Sequence, residues 1–320
     1  TVGLFIGLVG VFLAIVAIRN SDFVLFCIAS FLVGTFNGFG QYYRFAAADT
    51  AEDAFKSRAI SLVMAGGVIA SLGPLLANYS KDLLPNDLFA GVYVAIAVLY
   101  VASLLTLRFV AIPRPGAAER ASGGRPLHVI MRQPVFIVAA LGGIVGYMLM
   151  SLLMSATPLA MLGAGHDFFN TAQVIQWHVF AMFAPAFFTG HLIRRFGIST
   201  IMGAGAVLIA ACVAINLVGV DLAYFWVAGM ALGVGWCFLF VGATTLVTEA
   251  YTPPEKAKTQ AANDFLVFGS VACAALLSGM LHEWIGWQVM NYAALPFVAV
   301  VLVALFTMLR RRRRTVALAD

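Results

Sequence analysis

The residues of this chain that could do chemistry are polar side chains inside long apolar runs. One such run, 171–193, carries Gln173, Trp177 and His178 near its start and Pro185 near its middle. A polar side chain in lipid costs free energy unless it faces a cavity or a partner. At about 1.5 Å per residue, His178 lies roughly 10 Å along this run. His178 is therefore either a histidine hydrogen-bonded between helices or part of a solute site.

The sharpest acidic candidate is Asp264, which forms a polar patch with Gln260 and Asn263 at i, i+3, i+4 spacing. The helix that carries this patch is predicted to begin near Thr252. Asp264 then lies roughly 16 Å from the helix start, beyond the first turn in which an acid compensates the helix dipole. Two interpretations stay open. Asp264 either forms an ion pair with a basic residue of an inner gate, or it takes up a proton that is coupled to transport.

Other polar and adaptable residues recur at helical spacing. Asn37, Gln41 and Arg44 are spaced i, i+4, i+7, which predicts one helical face. Arg44 either snorkels to the inner interface, or closes an inner gate or binds an anionic solute. The predicted cavity residues are Asn37, Gln41, Tyr147, Met150, Met154, Gln173, Trp177, His178 and Trp236. The predicted gate or proton-coupling residues are Asp264, Arg44 and His178, and the predicted hinges are Gly73, Pro74 and Pro185.

No signature of a soluble enzyme accompanies these residues. The sequence lacks HExxH, GxSxG and a phosphate-loop lysine, and its five His residues are scattered. The four Cys lie in apolar runs without a CxxC pair, so they are interpreted as core residues rather than metal ligands. We therefore predict neither an enzyme nor a resident metal or cofactor.

The composition requires lipid around the chain. Hydrophobic residues make up 62%, charged residues 10%, and the mean hydropathy is +0.97, whereas soluble domains carry about 25% charged residues. Continuous runs of about 20 apolar residues predict spanning helices rather than barrel strands, hence an all-α membrane protein. Ten spans are predicted near 1–18, 22–43, 57–78, 88–112, 134–156, 171–193, 198–218, 222–248, 260–281 and 287–309.

The basic residues predict the orientation of these spans. With both chain ends in the cytoplasm, seventeen of the nineteen Lys and Arg residues fall on the inner side, and only Arg19 and Lys81 lie outside. The positive net charge is thus explained by topology and not by nucleic-acid binding. The tail at Arg310–Arg314 is interpreted as an anchor at the anionic inner leaflet. These features predict a bacterial inner-membrane protein in contact with the lipid bilayer.

A long polar segment divides the chain into two related halves. We predict a partial bundle of four spans over 1–112, a cytoplasmic linker over 113–133, a six-span bundle over 134–312 and a tail over 313–320. The pattern Asp49…Lys56-x-Arg58 recurs as Glu249…Lys256-x-Lys258 at an offset of 200 residues. This repeat predicts that two spans, roughly 65 residues, precede Thr1. The 320-residue chain alone is therefore expected not to transport.

Two short motifs resemble those of a known family. The segment Gly190-x-Leu-Ile-Arg-Arg-Phe-Gly197 is similar to the loop G-x-L-x-D-R-x-G-R of the major facilitator superfamily, with Arg194 in place of the family's Asp. Gly73-Pro74 matches part of that family's antiporter motif. The resemblance implies two pseudo-symmetric bundles, alternating access about a central site and a monomeric carrier.

These observations predict a secondary active transporter of a small organic solute. Proton coupling is a hypothesis that depends on Asp264 and His178. The alternative is a non-transporting receptor or scaffold with the same fold, but polar residues deep in several spans favour a transporter. The identity of the solute and the direction of transport are not predicted, because the candidate residues mix aromatic, thioether and amide groups.

Overall fold

A computed structural model describes residues 2–109 and 124–317, and within these ranges all regular structure is helical. The chain divides into two compact units, Thr1–Thr50 with Leu72–Arg114, and Ala51–Ser71 with Pro115–Asp320. Residues 113–123 of the predicted linker and residues 318–320 of the predicted tail lie outside the described residues. The segment 51–71 belongs to the second unit, although the sequence groups it with the first bundle.

In the described residues, the first unit contains three long helices and two short ones. They are α1 (Val2–Arg19), α2 (Phe23–Gln41), α3 (Tyr43–Thr50), α5 (Gly73–Ser80) and α6 (Ala90–Leu107). Gly10 on α1 lets the backbone of α2 approach, because a Cβ there would lie 2.9 Å from the carbonyl oxygen of Ala29. Arg19 forms an ion pair with Asp87 at 2.9 Å, which joins the end of α1 to the loop before α6.

The second unit contains the longer helices. They are α4 (Lys56–Ala65), α7 (Leu127–Met131), α8 (Pro134–Gly163), α9 (Phe168–Phe183), α10 (Ala186–Phe196), α11 (Ile198–Val218), α12 (Leu222–Val247) and α13 (Lys256–Ala317). Helices α11 and α12 meet at a pair of glycines. A Cβ on Gly205 would lie 2.7 Å from the carbonyl oxygen of Gly235, and one on Gly235 would lie 2.9 Å from that of Gly205.

Eight helical segments in the described ranges are long and apolar enough to cross a membrane. The ten predicted spans differ from these eight at two places, so the number ten stays a prediction. The predicted run 171–193 is divided into α9 and α10 at Pro185, because proline removes a backbone donor and crowds the preceding turn. The last two predicted runs both lie in α13, which Gly286 interrupts with φ of 75°.

The predicted start of the ninth span is confirmed at Thr252. Thr252 and Glu255 form a capping box in which the backbone N–H of Thr252 donates to Oε2 of Glu255 at 2.9 Å. Unexpectedly, the same buried carboxylate also accepts from Arg125. The backbone N–H and Nε of Arg125 donate to Oε1, and Nη2 donates to Oε2, each at 2.7 Å.

This linker clamp, formed by Gly124, Arg125, Gln133, Ala250 and Glu255, joins the residues on either side of α7 to the loop before α13. Gln133 Nε2 and Arg125 Nη2 donate to the carbonyl oxygen of Ala250 at 2.9 and 3.1 Å. Gly124 has φ of +58°, and a Cβ there would lie 2.4 Å from Cγ of Glu255. Hydrogen bonding to the Glu255 carboxylate raises the pKa of the Arg125 guanidinium. From the sequence alone, Arg125 was counted only as one of the basic residues on the predicted inner side of the membrane.

We expect Glu255→Gln to lower the unfolding temperature of the purified chain by about 5 °C. The amide would direct an N–H toward donors of Arg125 or Thr252 and leave a buried mismatch. Thermal unfolding in detergent, followed by circular dichroism, measures the effect. Glu283→Gln, at an exposed glutamate of α13, is the matched control. Equal unfolding temperatures for the two variants would contradict a stabilising role for the clamp.

Candidate functional site

Aromatic rings from four helices of the second unit meet in one cluster. The aromatic cluster consists of Tyr147 on α8, Phe183 on α9, Trp236 and Phe240 on α12, and Phe268 on α13. The ring of Tyr147 meets Trp236, Phe240 and Phe268 edge-on, with centroid distances of 5.2, 5.2 and 5.5 Å. Edge-on contacts of this kind stabilise a fixed arrangement of rings.

Trp236 lies at the centre of the aromatic cluster. Its ring stacks on Phe240 at 5.1 Å and 17°, and Phe183 contacts it edge-on at 5.6 Å. Trp236 is 1% exposed, and its indole N–H finds no hydrogen-bond acceptor among the described residues. A buried donor without an acceptor costs roughly 1–3 kcal/mol. If the chain is a transporter, as the sequence predicts, such a donor is a candidate contact for a solute.

The polar patch predicted around Asp264 is present and buried. Asn263 Nδ2 donates to Oδ1 of Asp264 at 3.1 Å, and Gln260 Nε2 donates to the hydroxyl of Tyr251 at 2.7 Å. Asp264 and Phe268 are four residues apart on α13 and share one helical face. The patch therefore begins one turn away from the aromatic cluster.

His178 is a buried link between α9 and α12. Its Nδ1 lies 2.7 Å from the carbonyl oxygen of Gly229, which assigns the ring proton to Nδ1, and the residue is 2% exposed. Its Nε2 has no hydrogen-bond partner in the described part of the chain. Gly233 permits this approach, since a Cβ there would lie 2.7 Å from the carbonyl oxygen of His178. The interhelical hydrogen bond is the first of the two roles proposed for His178 from the sequence.

Trp177 and Gln173, which were predicted to line the cavity together with His178, have surroundings that differ from those of His178. Trp177 is 43% exposed and contacts Phe180 and Trp226, while Gln173 is half-buried. Helical geometry separates consecutive residues by about 100°, which accounts for the different surroundings of residues 177 and 178.

On α8, Met150 is buried and Met154 is half-buried, with its sulfur 3.9 Å from the hydroxyl of Thr157.

The candidates of the first unit lie on both sides of a helix junction. Helix α2 ends at Gln41 and α3 begins at Tyr43, with Tyr42 in right-handed helical conformation between them. The single helical face predicted for Asn37, Gln41 and Arg44 stays a prediction. Asn37 is exposed, whereas Arg44 is buried. Arg44 Nη1 donates to Oε1 of Gln41 at 2.7 Å, and the guanidinium lies 4.7 Å from the ring centroid of Phe45.

The three hinge candidates lie at breaks in regular helix. A 3₁₀ segment, Gly66–Leu72, leads into α5, which begins at Gly73 and has Pro74 in its first turn. Pro185 separates α9 from α10. Mid-span 3₁₀ turns and prolines are common at hinges. The hinge function of these residues stays a prediction.

Helices α4 and α10 pack closely through small residues. A Cβ on Gly190 would lie 2.7 Å from the carbonyl oxygen of Ser57 and from Cα of Arg58. The backbone N–H of Gly190 donates to Oγ of Ser61 at 2.9 Å, and Oγ of Ser57 donates to the carbonyl oxygen of Gly190 at 3.3 Å. This serine–glycine seam, Ser57, Ser61 and Gly190, was not predicted. Small residues spaced four apart on α4 were the available signal.

No group of three metal-binding side chains occurs among the residues that the structure describes.

Residues 140–319 match the family model described as the Major Facilitator Superfamily. The chain is 43% identical over 313 residues to the riboflavin transporter RfnT of Brucella anthropi. The aligned region covers 96% of this chain and 78% of that protein.

Solved transporter structures share the fold. The E. coli fucose:proton symporter FucP superposes with a TM-score of 0.69 at 14% identity, covering 96% of this chain and 82% of that one. The human organic anion transporter MFSD10 gives a TM-score of 0.71 at 15% identity, covering 95% and 75%. At these identities the likeness concerns the fold alone.

We expect Gly190→Ala to reduce the free energy of unfolding by about 1–3 kcal/mol, because the new Cβ would force α4 away from α10. Gly203→Ala on α11 is the control, since a Cβ there meets no atom within 4 Å. That substitution should instead stabilise the helix by roughly 0.5 kcal/mol. Unfolding of both variants by denaturant in detergent micelles measures the difference. A Gly190→Ala variant as stable as the Gly203→Ala variant would refute the close packing of the seam.

Proposed function

This chain belongs to the Major Facilitator Superfamily as a multi-pass secondary transporter of a small solute, and we propose that the solute is riboflavin or a close flavin relative. The 43% identity to a riboflavin transporter motivates this proposal. The same relationship leaves the receptor or scaffold alternative without support. One observation carries the choice of a flavin: the aromatic cluster of the second unit lies one helical turn from a polar patch.

The aromatic cluster suits the flat aromatic ring system of a flavin. Tyr147, Phe183 and Phe268 are half-buried and surround the fully buried Trp236. Planar heteroaromatic rings stack on aromatic side chains with roughly 1–3 kcal/mol per contact. In this proposal a ring carbonyl of the flavin accepts the indole N–H of Trp236, for which the described residues provide no acceptor.

The polar patch suits the hydroxylated ribityl chain that a flavin carries. Asp264, Asn263 and Gln260 supply carboxylate and amide groups along α13, beginning one turn from Phe268. Hydroxyl groups donate to carboxylates and accept from amides, and hydrogen bonds to charged groups are the stronger ones. An apolar ring with a polyol tail therefore matches the order of groups along this helix. A purely apolar solute would leave the patch without a function.

We further propose that the carrier lies in the cytoplasmic membrane with both chain ends in the cytoplasm. The distribution of basic residues supports this orientation. In it, the linker clamp and the serine–glycine seam lie toward the cytoplasm. The aromatic cluster and the polar patch then lie between the seam and the outer end of the second unit.

Flavin binding is tested by titrating the purified chain with riboflavin and following the quenching of flavin fluorescence. Phe268→Ala should weaken the affinity at least about fivefold, because one stacking contact is lost. Phe265→Ala is the matched control, since Phe265 is 80% exposed on the same helix. It should bind riboflavin like the unmodified chain. Absence of saturable quenching, or equal losses in the two variants, would exclude this site.

Proton coupling through Asp264 is a separate proposal. Asp264→Asn keeps the size of the side chain and removes its ionisation, so uptake should no longer respond to an imposed pH gradient. Riboflavin uptake by cells that express the full-length gene product, with and without an inward proton gradient, measures this response. Asp221→Asn, an exposed acid before α12, should retain it. An unchanged response in Asp264→Asn would remove Asp264 from the coupling mechanism.

A further inference from the structure

We propose that the second unit binds the phosphate group of a membrane phospholipid in a cavity between α4 and α10. This basic cavity has a volume of about 320 Å³. Its lining includes Phe55, Arg58, Leu62, Phe187 and His191. It is separate from the aromatic cluster and the polar patch, and no step of flavin binding uses it.

The serine–glycine seam positions the cationic groups of the basic cavity. Because Gly190 lies against Ser57 and Arg58, the next residue of α10, His191, faces Arg58. Nη2 of Arg58 contacts Nε2 of His191, and since the guanidinium is always protonated, it donates and the imidazole accepts. Nε of Arg58 is buried and has no acceptor within the described ranges. The guanidinium therefore retains an unused donor.

Two arginines converge on one aromatic ring without a described carboxylate between them. The guanidinium carbons of Arg58 and Arg194 lie 5.6 and 5.4 Å from the ring centroid of Phe55. Neither Arg58 nor Arg194 forms an ion pair with a carboxylate among the described side chains. Two cations near one ring repel each other unless an anion lies between them. Guanidinium groups bind phosphate oxygens with two parallel hydrogen bonds, which makes a phosphate the matching anion.

The remaining walls of the basic cavity indicate that the phosphate is attached to an apolar chain. Leu62 is 60% exposed and Phe187 is similarly exposed, so both side chains are available to an acyl chain. In the proposed orientation, the cavity also lies toward the cytoplasmic leaflet, where anionic lipid headgroups concentrate. A free phosphate ion would use the arginines and leave the apolar walls empty.

The test measures phosphatidylglycerol retained by the purified full chain in native mass spectrometry. Arg58→Gln/Arg194→Gln should lower the apparent lipid affinity at least about tenfold, because two charge-assisted contacts are lost. Arg132→Gln/Arg310→Gln removes the same charge from exposed arginines elsewhere on the basic side and is the matched control. It should change the affinity less than about twofold. Equal retention by the first variant and the unmodified chain, or an equal loss in the control, would overturn the proposal.

A second variant keeps the test decisive if the arginine variant folds poorly. Leu62→Trp fills the basic cavity without changing a charge, and it should reduce lipid retention to the level of the arginine variant. Helical circular dichroism and a single gel-filtration peak establish that each variant is folded. Lipid retention by Leu62→Trp equal to that of the unmodified chain would place the lipid elsewhere and overturn the proposal.

Competition distinguishes the two sources of the phosphate group. Inorganic phosphate at millimolar concentration is added to the lipid-loaded chain. Displacement of the lipid supports a site in which the phosphate alone is sufficient. Retention of the lipid supports a site that also requires the apolar chain, which is the result expected from Leu62 and Phe187.

Discussion

Close approach of helix backbones at glycine is the constraint on which the second unit depends. Lipid provides no hydrophobic drive for helix association, so van der Waals packing between small residues supplies it. Gly205 and Gly235 place the backbones of α11 and α12 in direct contact. Gly233 does the same between α12 and α9, and Gly190 between α10 and α4. A side chain at any of these four positions would separate two helices of the second unit.

Helix α12 shows how this packing produces a site. Gly235 lies against α11 and Gly233 lies against α9, which fixes the helix on two sides. The residue that follows, Trp236, then extends toward Tyr147 of α8, where it stacks with Phe240. The approach at Gly233 also brings His178 within hydrogen-bonding distance of the Gly229 carbonyl. The arrangement of the aromatic cluster and the burial of His178 therefore have one common cause.

The sequence was sufficient for features that depend on composition or on neighbours along the chain. Apolar runs predicted the helical membrane fold, and the capping box at Thr252 was predicted because its partner, Glu255, is three residues away. Contacts across 130 residues or more, such as Arg125 with Glu255 and Arg58 with His191, were missed because no local spacing specifies them. The predicted pair Gln41 and Arg44 is in contact across the junction of α2 and α3, whereas the complete face that includes Asn37 stays a prediction.

Asp264 lies one helical turn from Phe268 on α13, and this proximity bears on how a proton could be coupled to a bound flavin. If a flavin occupies the aromatic cluster, as proposed, it excludes water from the carboxylate one helical turn away, and loss of hydration disfavours an ionised carboxylate. By linkage, a solute that favours protonation of a carboxylate binds more tightly when that carboxylate is protonated, by the same factor. Proximity on α13 would therefore couple a proton to a flavin without direct contact between them. This coupling requires only that α13 keep both residues on one face, which the helical geometry already ensures.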